Sequence, residues 1–119
     1  MRFLIPLIFV SVSSVAFAGY DDHVTRKVHW ADANGPLILL TEWRRYVQGD
    51  RDVQPDNQNT ENDFIVTVDG ESFPLWYEPK FGELRTTDPS EKAVEKLKKI
   101  AVKLKAKVQG DDGELYDKK

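Results

Sequence analysis

Two stretches carry clear hydrophobic periodicity, and together they predict much of the fold. In the first, Phe64 and Val66 precede Val68-Asp69-Gly70-Glu71, and Phe73 and Leu75 follow it. Asp69-Gly70 suits a two-residue hairpin turn, whose central positions need positive φ. That turn sets Val66 opposite Phe73 and Phe64 opposite Leu75 on one face, with Thr67 opposite Ser72 on the other. Turn and alternation agree independently, so the register is well specified. Pro74 has no N–H to donate, which places it at an edge, at least locally. Trp76 falls on the face away from the apolar row.

In the second stretch the period changes to that of a helix. Val94, Leu97, Ile100, Ala101, Leu104 and Val108 form one stripe with Ala93, predicting a helix over 88–109. Asp88, Pro89 and Glu91 read as cap, first position and capping box, and Gly110 suits the residue after the helix. Ala106–Gln109 alternatively suits a short strand leading into Gly110-Asp111-Asp112-Gly113.

The remaining segments are read with less periodicity. Val24–Trp30 alternates as a half-buried strand, and Asp32–Pro36 is a dense turn signal. Residues 37–47 fit either a helix, with Leu39, Leu40, Trp43, Tyr46 and Val47 on one arc, or a strand. The strand is favoured, since it gives Val24–Trp30 a hairpin partner. Residues 48–63 hold one apolar side chain, Val53, and predict a long polar loop. Phe81–Arg85 predicts a further short strand. The ends, 19–23 and 114–119, are expected to fray.

The fold class is therefore α+β: a small antiparallel sheet of four to five strands with one C-terminal amphipathic helix packed on one face. Residues 19–119 make one domain, a natural count for a chain of 119 residues. Residues 1–18 stand apart. A short basic start at Arg2, an apolar run over 3–12 and an Ala16-Phe17-Ala18 site predict a cleaved secretory signal peptide. The run is too short for a spanning helix, so no stable membrane anchor is expected after cleavage. The expected location is periplasmic or secreted.

Charge sharpens this picture. The whole chain is −3, but without residues 1–18 it is −4. Beyond its cap Asp88, the C-terminal helix carries Lys92, Lys96, Lys98, Lys99, Lys103, Lys105 and Lys107 against two glutamates, a net +5 that leaves −9 elsewhere. A lysine face opposite an apolar stripe is ordinarily solvation, and its sharper reading is docking of an acidic partner. Nucleic acid binding is not expected, because the domain is acidic and lacks a recognisable motif.

Candidate chemistry is sparse. The chain has no Cys, which excludes disulfides, thiolate metal centres and a cysteine nucleophile. His23 and His29 are the only imidazoles; on one strand they would lie nearly 20 Å apart, at about 3.3 Å per residue, and are read as surface residues. The acids of 50–63 and of 111–114 lack the calcium-loop order. Ser72 and Ser90 sit in no nucleophile motif, and no phosphate-cradling glycine loop is present. No cofactor, metal site or catalytic residue is expected.

The aromatics are more informative. Trp76 and Tyr77, adjacent on a strand, must face opposite ways, so the core takes at most one. Trp and Arg are favoured at binding hot spots. Trp76, Tyr77, Trp43, Arg44 and Arg45 are thus the candidate partner-binding residues, with Arg85 as a possible contributor. The expected function is a small exported, non-enzymatic binding module for a protein partner, inhibitor- or immunity-like in size and acidity. The alternative is an envelope protein that binds a small ligand or divalent cation.

Overall fold

The structure is a computed structural model, described over residues 19–116; the proposed leader, 1–18, lies outside the described residues. The chain runs β1 (Asp21–Thr25), α1 (Leu40–Gln48), β2 (Val53–Pro55), β3 (Asp63–Val68), β4 (Glu71–Glu78), β5 (Glu83–Thr87), α2 (Glu91–Leu104) and β6 (Lys107–Gly110). The six strands form one antiparallel sheet in the order β2-β3-β4-β5-β1-β6. The α+β class holds, with a sheet one strand larger than expected and a second helix.

The β3–β4 hairpin has the expected register, Phe64 opposite Leu75 and Val66 opposite Phe73, and Asp69 and Gly70 both take positive φ. β4 is an interior strand, but its ladder with β5 covers only Trp76–Glu78. Pro74 lies beyond that ladder, where the Thr86 hydroxyl donates to its carbonyl at 2.6 Å. A residue without an N–H is tolerated there because no ladder bond is lost.

Both helices cover one face of the sheet. Leu97, Ile100, Ala101 and Leu104 of α2 are buried with Val24, Leu75, Leu84 and Val108 of the strands. α1 adds Trp43, fully buried, whose ring meets Phe64 edge-on at 5.4 Å.

Several expectations are corrected. Residues 37–47 are not a strand: β1 finds its partners in β5 and β6, so no local hairpin is needed. The helical arc wins, placing Trp43 in the core with Leu40, Tyr46 and Val47 against it. The Glu42 carboxylate accepts from the Leu39 amide at 2.9 Å, closing the helix start. The first strand is Asp21–Thr25 rather than Val24–Trp30, so 19–23 is not frayed but feeds an interior strand. At the other end, Tyr116 donates its amide to the Val108 carbonyl, and Leu115 bridges to Gln109. Residues 117–119 lie outside the described residues. The polar loop 48–63 is interrupted by β2, in which Val53 reaches the core opposite Val66.

α2 is shorter than 88–109 at both ends. Ser90 is the cap, accepting from the Ala93 amide at 3.1 Å. Asp88 instead exchanges hydrogen bonds with the Tyr20 backbone, which ties the chain entering β1 to the end of β5. Lys105 ends the helix in the left-handed conformation, and the extended alternative for 106–109 is realised in β6, where Val108 enters the core. No helix among the described residues is long and apolar enough to cross a membrane.

Candidate functional site

The face of the sheet opposite the helices holds the unusual chemistry. Side chains alternate along a strand, so register places Trp76 beside Asp63 and Arg85, Arg85 beside His23, and His23 beside Gln109 in one row. The row divides into a covered half and an open half.

The covered half centres on His23, which is completely buried. Its Nδ1 lies 2.5 Å from Glu83 Oε2 and its Nε2 lies 2.8 Å from Asp111 Oδ1. Each ring nitrogen thus has a carboxylate oxygen as its partner. Arg85 Nε also donates to Glu83 Oε2, at 2.9 Å. Trp30 closes the site from the loop after β1. Its ring stacks on His23 at 3.9 Å with planes 9° apart, its Nε1 donates to the Asp111 carbonyl at 3.1 Å, and its amide donates to Gln109 Oε1 at 2.7 Å. Arg85 lies 5.3 Å from the Trp30 ring and 5.1 Å from that of Phe81, within cation–π range.

The cluster ties β1 to β5 and to the chain after β6, since each imidazole nitrogen has a carboxylate partner from one of them. Glu83 and Asp111 lie at opposite edges of the ring rather than converging on one point. No group of three or more His, Cys, Asp or Glu among the described residues is placed to hold a metal. The serines are remote from it: Ser72 pairs with Thr67 at 2.7 Å, and Ser90 caps α2.

A second buried acid lies around the corner. Asp22 points to the helix side, is almost wholly buried, and has no hydrogen-bond partner for either carboxyl oxygen. Burial pushes it up to about 6; the Tyr116 phenol pulls the other way and the Glu114 charge adds to the rise. Glu114 lies over Gly110 and accepts from the Tyr20 hydroxyl. That bond pushes Tyr20 up to about 12.

The open half carries Trp76. It is partly exposed and lies between Asp63 and Arg85, near the exposed Pro74 and Thr67 and the partly exposed Ile65. Neither helix reaches this side.

The five candidate binding residues do not form one patch. Trp43 is wholly buried, and Tyr77 is buried with its hydroxyl donating to the Ile38 carbonyl at 2.8 Å. These two are core residues, because both lie on the helix side of the sheet. Arg44 is exposed and meets Glu61 at 3.4 Å. Arg45 is exposed beside α2. Both arginines stand on α1, across the sheet from Trp76. Arg85 is the arginine that register brings to Trp76. Sequence reasoning missed the burial of His23 and the roles of Trp30, Glu83 and Asp111. Asp21-Asp22-His23 looks polar on both faces, and alternation gives no signal when a buried face is charged. Set against known protein families, curated proteins and solved structures, the chain matches none.

Proposed function

We propose that the protein is a small exported, non-enzymatic binding module that recognises a protein partner through the open half of the sheet. The observation that carries this reading is Trp76, partly exposed on a face that neither helix covers. Trp supplies large contact area and is enriched where binding energy concentrates. Arg85 stands beside it but is largely covered by Trp30 and Phe81, with its side chain 16 % exposed. It is held by Glu83, which is held by His23, so it backs Trp76 rather than presenting a free charge. The 1–18 segment supports export, and size and acidity support the inhibitor- or immunity-like role.

A photo-crosslinking side chain at Thr67, exposed on the Trp76 face, tests this in intact cells. The expected result is one discrete adduct that disappears with Trp76→Ala. The same probe at Glu95, on the outer side of α2, is expected to give none. Equal labelling from both positions, or an adduct indifferent to Trp76, would refute the assignment.

A further inference from the structure

On the helix side of the molecule, α1 and the C-terminal end of α2 enclose a groove of about 520 Å³. Its exposed cations are Arg45, Lys103 and Lys105, and its floor includes Tyr46 and Leu104. One wall is fixed by Arg26, which donates through Nε to the Leu104 carbonyl at 2.9 Å, through Nη1 to the Leu37 carbonyl at 2.9 Å, and to both Glu42 oxygens at 2.9 and 3.0 Å. These bonds hold the Glu42 carboxyl below the usual carboxylate range. The one acid lining the groove is therefore already committed.

The other three cations are not. No carboxylate among the described residues lies within ion-pair distance of Arg45, Lys103 or Lys105. Attraction to the helix C-terminus explains Lys103 and Lys105 in part. The same attraction applies to Arg45, in the last turn of α1, but two helix ends that bring their cations into one groove leave those cations without a carboxylate between them, and Arg26 already satisfies the Leu104 carbonyl. Three like charges in one groove repel each other in a domain whose remaining charge is strongly negative. We propose that this groove binds an acidic peptide segment of a partner protein, whose carboxylates complete the three unpaired cations.

The size of the groove, about 520 Å³, favours a segment over a small anion. Its cations come from the C-terminal ends of two helices, Arg45 from α1 and Lys103 and Lys105 from α2. The chemistry also disfavours nucleic acid, which wants aromatic platforms for its bases. Trp43 is buried, Trp30 and Trp76 lie on the other side of the sheet, and Tyr46 is stacked on Trp43 with its hydroxyl bonded to Asp50.

Fluorescence anisotropy of a fluorescein-labelled octaglutamate peptide, titrated with the full-length protein at low salt, tests the proposal. Saturable binding is expected, weakening steeply toward about 0.2 M salt. Arg45→Glu is expected to weaken it about fivefold or more. Lys99→Glu, an equal charge change on the part of α2 outside the groove, is expected to leave it nearly unchanged. Circular dichroism checks that both variants keep the fold. Absence of saturable binding overturns the proposal, as does an equal loss in Lys99→Glu. So does Arg45-dependent capture by phosphatidylglycerol vesicles without peptide binding, which would assign the groove to a membrane surface. The groove and the Trp76 face lie on opposite sides of the sheet, so either reading can fail without the other.

Discussion

Asp22→Asn is expected to stabilise the protein at neutral and alkaline pH and to do little in acid. Asp22 lies on the interior strand β1 with both oxygens buried and unpartnered. Its proton is bound more tightly in the folded chain, at about 6, than at its ordinary 3.8. Its contribution is thus most favourable below the ordinary value and fades as pH rises through about 6. That shift corresponds to about 3 kcal/mol at full ionisation. At pH 4, already just above the ordinary value, part of this has appeared, which leaves about 2 kcal/mol to develop between pH 4 and pH 8. The groups that face it, His23, Asp111, Glu114 and the Tyr116 phenol, are present in both proteins. Urea denaturation at pH 4 and pH 8 measures the effect. With a slope of about 1.3 kcal/mol per molar, the midpoint advantage of the Asp22→Asn variant grows by about 1.5 M between the two pH values. An asparagine amide in a site without partners has its own cost, but that cost does not vary with pH. A constant difference between the two proteins across this range would refute the reasoning.

Three further outcomes follow from the packing. Trp43→Ala empties a fully buried site and is expected to cost about 3–5 kcal/mol in urea unfolding. Trp43→Phe should cost less than half as much, because the indole Nε1 has no partner to lose. Lys96 bridges Asp50 and Asp52 at 2.8 Å each. Burial pushes the Asp50 carboxyl up, but Lys96, the Tyr46 phenol and the Asp52 amide together outweigh it and leave it below the usual range. Lys96→Ala is expected to cost about 2 kcal/mol at pH 7, and the cost, read from urea midpoints, should shrink on acidification as Asp50 takes up its proton. Gly82 has φ +62°, and a Cβ there would lie 2.7 Å from Leu37. Gly82→Ala is expected to cost about 2 kcal/mol and lower Tm by about 10 °C in a thermal melt.

The parts of this fold legible in the sequence are those where one face is apolar and the other polar. The β3–β4 hairpin and the stripe of α2 have that form, and their register and buried faces follow from it. β1 does not. It is buried on both faces, with Asp22 on one and His23 on the other, so its composition resembles an exposed tail. α1 is ambiguous in sequence because its apolar residues fit both periods, and the choice depends on where β1 pairs, about sixty residues away. The candidate site divides in the same way. Trp76 is legible from alternation alone, whereas its neighbour Arg85 requires the β4–β5 register. Trp43 and Tyr77 are aromatic for the ordinary reason that they fill the core.

The strand order has a consequence for how the chain reaches this state. β1 is the first strand made, yet it lies between β5 and β6, among the last. His23 meets its two carboxylates 60 and 88 residues further along. A sheet that depends on such distant contacts closes slowly, because the entropy of closing long loops is spent before the contacts form. β2 to β5 can assemble by local pairing as the chain lengthens. The interior slot for β1 is complete only when Lys107–Gly110 has emerged. Until then β1 can pair only along β5, as an edge strand, and His23 lacks its Asp111 partner. A chain that crosses a membrane with its N-terminus first would therefore keep its first strand half-paired until its last strand arrives.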